Sequence, residues 1–344
     1  MSAITVSGDL IHYEVLGRGR PVVLVHGWIG SWRYWVPTMQ QLQLKFRVYA
    51  LDLYGFGDSA KNPNKYTLEH QIALLDDFMQ QLGLPKAALI GHGLGALVVT
   101  EFARRYQERV PRLLVVSAPL FNPGDLERRI PAAKKVLVRE RPAFPQPQES
   151  GPNAPTIMSP SAAMRAALIE AARARKAGQP LPKEFVDMTV PRAEVVADPT
   201  PSENPLQAIL NGGSLEALLG KCFRRNEPSY EKLSVDVAKT DARAPSGIIS
   251  TFDPGSMLDT YVLLPMPTVI IHGMDDPIMP NPDEGVWNYV TKDRENLVLP
   301  IPLPGVRHFP MLEDERFFRI VNDFLELPDI SKIEVKERWR RRTR

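Results

Sequence analysis

The chain has 344 residues, 44% of them apolar, and a formal charge of +2. That apolar content can fill a sizeable core and excludes a globally disordered chain, and the near-balanced charge gives no ground to expect a nucleic-acid partner. Cys222 is the only cysteine, which excludes an intramolecular disulfide and agrees with a reducing, cytoplasmic setting.

In chain order, Ala3–Ser7 and Leu10–Leu16 read as strands joined by a Gly8-Asp9 turn. The first residues lack the basic and apolar regions of a signal peptide. Pro21–His26 is a continuous apolar run, as expected of a strand covered on both faces. Trp32, Trp35, Met39 and Leu42 follow at helical spacing behind Ser31. Val48–Leu51 reads as a second buried strand, leading into a glycine-rich loop at Asp52–Ser59. Thr67 is placed to cap a helix with Ile72, Leu75, Phe78 and Leu82 on one face, and Gly83 and Pro85 stop it.

Ala87–Ile90 is an apolar strand that enters the cluster Gly91-His92-Gly93-Leu94-Gly95, and a helical segment, Leu94–Tyr106, leaves it. Leu113–Ser117 is the next strand. Strands alternating with amphipathic helices predict right-handed crossovers and a mostly parallel sheet.

The alternation stops between Pro119 and Met266, where 13 of the 33 prolines lie between Pro131 and Pro205. Short helices are read at Pro160–Ala177, Pro205–Leu219 and Tyr230–Thr240, and the stretch around 140–160 is rich enough in proline and polar residues to be expected disordered. The rhythm then returns, with strands at Thr268–His272 and Asn296–Leu303 and helices at Pro282–Val290 and Glu315–Leu325. The division expected is a core of residues 1–118 and 267–328, an inserted segment at 119–266 and a basic tail at 329–344. The tail ends KERWRRRTR; contact with an anionic membrane surface is weighed for it, and a solvated terminus is favoured. No run of about 18 apolar residues is present to cross a membrane.

Five short patterns carry chemistry. His26-Gly27-Trp28 follows a buried strand. Asp52, Gly55, Gly57 and Ser59 punctuate the loop after the next strand. Gly91-His92-Gly93-Leu94-Gly95 joins strand to helix. Gly273-Met274-Asp275-Asp276 ends a late strand, with Pro280 beyond it, and Pro304-Gly305-Val306-Arg307-His308-Phe309-Pro310 comes last, with Glu313 beyond it. Together they resemble the α/β-hydrolase family, of the serine-hydrolase type.

The resemblance implies an α/β-hydrolase fold, a doubly wound, mostly parallel sheet with an inserted helical cap. It makes Asp276 and His308 the acid and base of a catalytic triad, with Asp275 the less favoured acid. It makes Trp28 and Leu94 the backbone donors of an oxyanion hole, with His26, Gly27 and His92 beside the pocket. Asp52 is expected to shape its loop. The nucleophile position is Gly93. A glycine adopts the strained elbow without a Cβ but carries no oxygen to attack a carbonyl. His92 and Leu94 match the serine form of the elbow, so the replaced residue is read as Ser rather than Asp. Arg307 departs from the small residue usual there, and is expected to crowd the loop or add charge to the pocket.

The sequence admits three readings: a non-catalytic or weakly active binder of a small apolar or acyl ligand, a hydrolase in which His308 activates a water, or a serine hydrolase whose nucleophile was substituted. Cys222 is not expected to replace the serine. No H-x-x-x-H, C-x-x-C or phosphate-loop pattern occurs, so no metal or cofactor is expected. Neither the oligomeric state nor the substrate is encoded legibly.

Overall fold

A computed structural model of the chain describes residues 2–129, 131 and 204–334, all within one compact unit that comprises Met1–Lys135 and Glu203–Arg344. The helix read at Pro160–Ala177, the proline-rich stretch around 140–160 and most of the basic tail lie outside the described residues.

Eight strands form one sheet: β1 (Ser2–Val6), β2 (Asp9–Gly17), β3 (Arg20–Val25), β4 (Phe46–Leu51), β5 (Ala88–His92), β6 (Leu113–Val116), β7 (Thr268–Gly273) and β8 (Val298–Leu303). Their spatial order is β1-β2-β4-β3-β5-β6-β7-β8. β1 and β2 join antiparallel, and β3 to β8 run parallel. Val22–Val25 and the whole of β5, β6 and β7 are buried, which is why these strands read as unbroken apolar runs rather than alternating ones.

Helices α1 (Val36–Leu42), α2 (Leu68–Gln81) and α3 (Leu94–Arg105) follow β3, β4 and β5. Thr67 caps α2 by accepting from the His70 N–H, as its sequence position predicted. Between β6 and β7 come α4 (Pro205–Asn211), α5 (Leu215–Cys222), α6 (Pro228–Ala238), α7 (Arg243–Ile249) and α8 (Pro254–Leu263). The single helix expected over Pro205–Leu219 is two. Gly212-Gly213 ends the first, Gly213 at φ 155°, and Ser214 caps the second. The helices α7 and α8 were not legible as separate elements. α9 (Glu284–Thr291), α10 (Pro310–Glu313) and α11 (Glu315–Glu326) complete the fold.

β3, β5 and α3 cross at backbone contact distance. A Cβ on Gly95 would collide with the carbonyl oxygens of Val25 and His26, and one on Gly91 would come within 2.6 Å of the Gly95 carbonyl oxygen. By contrast, a Cβ on Gly220, inside α5, meets nothing within 4 Å. Gly95→Ala is therefore expected to destabilise the fold by about 3 kcal/mol, the upper end of the usual cost of overpacking. Gly220→Ala should stabilise it by about 0.5–1 kcal/mol through helix propensity. Urea unfolding of the two variants checks both signs.

Candidate functional site

The carboxyl ends of β3, β5, β7 and β8 carry the patterns singled out in the sequence. Parallel sheets of this type present their ligands to that edge. Gly93 sits between β5 and α3 at φ 53°, ψ −117°. A Cβ placed on it would lie 3.7 Å from the Gly27 Cα and 3.8 Å from His308 Nε2, both ordinary van der Waals distances. The turn after β3, the elbow after β5 and the histidine loop after β8 thus converge on one point.

His308 is buried and its Nδ1 lies 2.8 Å from Asp276 Oδ2. The other carboxylate oxygen of Asp276 accepts the N–H groups of Ile278 at 2.8 Å and Met279 at 2.9 Å. Burial alone would raise the Asp276 carboxyl. The His308 ring and these donors outweigh it and hold the carboxyl at about 2. An ionised Asp276 accepts the His308 Nδ1–H, which leaves Nε2 as the basic nitrogen. Nε2 is buried and has no hydrogen-bond partner among the described residues. It faces the place where a side chain on Gly93 would project.

The loop is braced from both sides. Glu313 accepts the N–H of Arg307 at 3.2 Å and of Phe309 at 3.1 Å. A Cβ on Gly273 would collide with the carbonyl oxygen of Arg307, so β7 and the histidine loop need a glycine there. The Arg307 guanidinium does not carry a free charge into the site. It pairs with Glu313 at 2.9 Å and with Glu227 at 3.1 Å, and lies 4.9 Å from the centre of the Phe223 ring. The sequence expectation for Arg307 is corrected accordingly: the residue ties the histidine loop to the segment between α5 and α6.

Trp28 and Leu94 are wholly buried, and their backbone N–H groups donate to no acceptor among the described residues. His26 and His92, expected beside the pocket, have both ring nitrogens engaged by protein groups. His26 Nε2 accepts the Leu53 N–H at 3.0 Å, so Nδ1–H donates to the Gly27 carbonyl at 2.7 Å. Burial lowers the His26 imidazole to about 4, so the ring is neutral.

Asp52 serves its loop. Its carboxylate accepts the N–H groups of Trp32 and Asp58, both at 2.9 Å, and a Cβ on Gly57 would collide with it. His12, Asp52 and Asp58 lie close enough to share a metal ion. Asp58, however, already pairs with Arg33 at 2.6 Å and Lys239 at 2.8 Å, so its charge is met by protein cations. His12 is itself buried. The Cys222 thiol is pushed up by burial and by the negative charges of Asp276 and Glu313, the opposite of what a nucleophilic thiolate needs.

Comparison with known proteins agrees with this fold. A family model described as alpha/beta hydrolase fold matches residues 20–314. The rat bifunctional epoxide hydrolase 2 is 34% identical over 123 residues, covering 34% of this chain and 22% of that one. The pimeloyl-[acyl-carrier protein] methyl ester esterase of Vibrio campbellii is 36% identical over 112 residues, covering 32% of this chain and 42% of that one. The chain thus spans less than half the length of these curated relatives. Among solved structures, the enol-lactonase from Burkholderia xenovorans LB400 superposes with a TM-score of 0.59 at 18% identity, covering 94% of this chain and 99% of that one. Among the described residues no helix is long and apolar enough to cross a membrane.

Asp276 carries a pH signature. Its carboxyl is held at about 2 in the fold and titrates near 3.9 when unfolded. Its contribution is fully present above about pH 4 and is lost as pH falls towards about 2. The loss is on the order of 2 kcal/mol. Asp276→Asn is expected to flatten that part of the stability curve, measured as urea midpoints across the acid range.

Proposed function

The chain belongs to the α/β-hydrolase family, and we propose that it is a member of the ester and acyl type that binds a small apolar or acyl ligand with weak or no turnover. The observation that carries this reading is the intact Asp276–His308 pair, with Nε2 3.8 Å from the Cβ position of a residue, Gly93, that has no side chain. Loss of a triad nucleophile costs about a millionfold in turnover elsewhere, and leaves roughly 10³–10⁴ over water from the rest of the site.

In this reading Trp28 and Leu94 offer their N–H groups to the carbonyl oxygen of the ligand, and Asp276 fixes the tautomer of His308. The helices between β6 and β7 serve as the cap that shapes the pocket. A reducing, cytoplasmic setting fits the one buried, free cysteine.

A second reading draws on the unpartnered Nε2. A buried nitrogen without a partner costs about 1–3 kcal/mol, and a ligand hydroxyl or a water would relieve that cost. A water bonded there gives its proton to Nε2 while its oxygen attacks the ester carbonyl, and the backbone donors hold the oxyanion. Nε2 is buried, so either guest enters by displacing covering side chains.

The replaced residue is Ser rather than Asp in this account. The relatives named epoxide hydrolases make the alternative worth testing on the same scaffold. The protein, Gly93→Ser and Gly93→Asp would be assayed on aryl esters of graded acyl length and on an aryl epoxide. Gly93→Ser is expected to raise ester kcat/KM by at least about 10³-fold, and to destabilise the fold by about 1–3 kcal/mol through the strained φ. His308→Ala should abolish the gain. Turnover by the unaltered protein that disappears in His308→Ala would favour the water reading. Epoxide opening by Gly93→Asp with no ester activity in Gly93→Ser would refute the ester assignment.

A further inference from the structure

A buried chain of polar contacts links the three loops of the site. The Gly27 N–H donates to Tyr34 Oη at 2.7 Å. Tyr34 Oη lies 2.9 Å from His92 Nδ1, and His92 Nε2 lies 2.8 Å from the His308 carbonyl oxygen. The Ser117 hydroxyl donates to the same carbonyl at 3.2 Å.

With a neutral His92 ring, one set of protons satisfies every contact. A carbonyl oxygen accepts and never donates, so His92 carries its proton on Nε2. Nδ1 is then an acceptor and takes the Tyr34 hydroxyl proton. Tyr34 Oη keeps its lone pairs for the Gly27 N–H. Tyr34, His92 and Ser117 are all buried, so no water competes for these bonds on either side. The His92 ring packs at 4.6 Å from the His308 ring and 5.4 Å from the Tyr34 ring. Burial, together with the neighbouring His308, lowers the His92 imidazole well below its usual value, and burial pushes the Tyr34 phenol well above its own. Both therefore stay neutral.

We infer that Tyr34 and His92 are positioning residues. They set the main chain of His308 against the Gly27 turn and so fix where Nε2 points above Gly93. His308 as the base of the site is taken from the proposed function, but the positioning itself is a statement about protons and distances. The relay does not touch the ligand. It acts through the carbonyl of the residue that does.

The two side-chain amides separate its halves. In His92→Gln the terminal NH2 occupies the Nε2 end and can still donate to the His308 carbonyl. In His92→Asn the side chain reaches only the Nδ1 end and loses that donor.

The test is nitrogen-15 NMR of histidine-labelled protein, with urea midpoints recorded alongside. The unaltered protein should show His92 as the Nε2–H tautomer with a hydrogen-bonded Nδ1. Tyr34→Phe and His92→Asn should both move the His308 ring resonances, and His92→Gln should keep them near their original positions. In the Gly93→Ser background, Tyr34→Phe should lower kcat about tenfold with little change in KM. A protonated His92 Nδ1 overturns the inference, and so do His308 resonances that stay put in Tyr34→Phe and His92→Asn while stability falls. If Tyr34→Phe does not fold, the Asn and Gln pair decides. An inactive Gly93→Ser would sink the ester reading, and the tautomer and resonance results would still decide the positioning.

Discussion

The site depends on a steric constraint: two strands, a helix start and a turn meet at a point where almost no side chain fits. Gly91 and Gly95 let α3 pass over β5 and β3, and Gly27 brings the turn after β3 to 3.7 Å from the Cβ position on Gly93. Each added carbon at Gly91 or Gly95 would push backbone against backbone, where nothing can rotate away. Gly93 differs from these neighbours. A Cβ on it meets only ordinary contacts, so the glycine there is not required by space. It relaxes the strain of φ 53°, and in the function proposed above it leaves the site without its nucleophile.

Around that point buried histidines and buried carboxylates hold the loops in place. His26, His92 and His272 are buried, and burial lowers the pKa of each. Each uses a ring nitrogen to hold a loop. His272 Nε2–H donates to the Met279 carbonyl at 3.1 Å, and the Met279 N–H donates to Asp276. Asp276 is kept ionised despite burial by the His308 ring and its backbone donors. Its carboxylate accepts the His308 Nδ1–H, which leaves Nε2 facing the elbow at Gly93.

Much of this was legible in the sequence because backbone constraints leave few residue choices. An apolar run such as Val22–Val25 means burial on both faces, and glycines at fixed intervals around a strand end mean close crossing. Asp276 was reached by counting from Gly273, and His308 by the length of its motif. What stayed illegible depends on partners far apart in sequence. Tyr34 carries no signal in the sequence; its hydroxyl matters because His92, 58 residues away, brings a nitrogen to it. Arg307 read as crowding the loop or adding charge to the pocket, because Glu227, 80 residues away, could not be foreseen as its counterion. The break at Gly212-Gly213 went unread, so Pro205–Leu219 was expected as one helix where the chain forms two. The helices α7 and α8 have proline near their first turns, which read as loop rather than as helix starts.

The proposed function requires that only the nucleophile is missing from an otherwise assembled acyl-transfer site. The most direct measurement is covalent labelling of Gly93→Ser by a fluorophosphonate, read by mass spectrometry of the intact protein and its peptides. A single adduct on residue 93, lost in Gly93→Ser with His308→Ala and not formed by the unaltered protein, is the result predicted. A folded Gly93→Ser that takes up no label would contradict the account, because it would mean that Asp276, His308 and the backbone donors do not act together on that position.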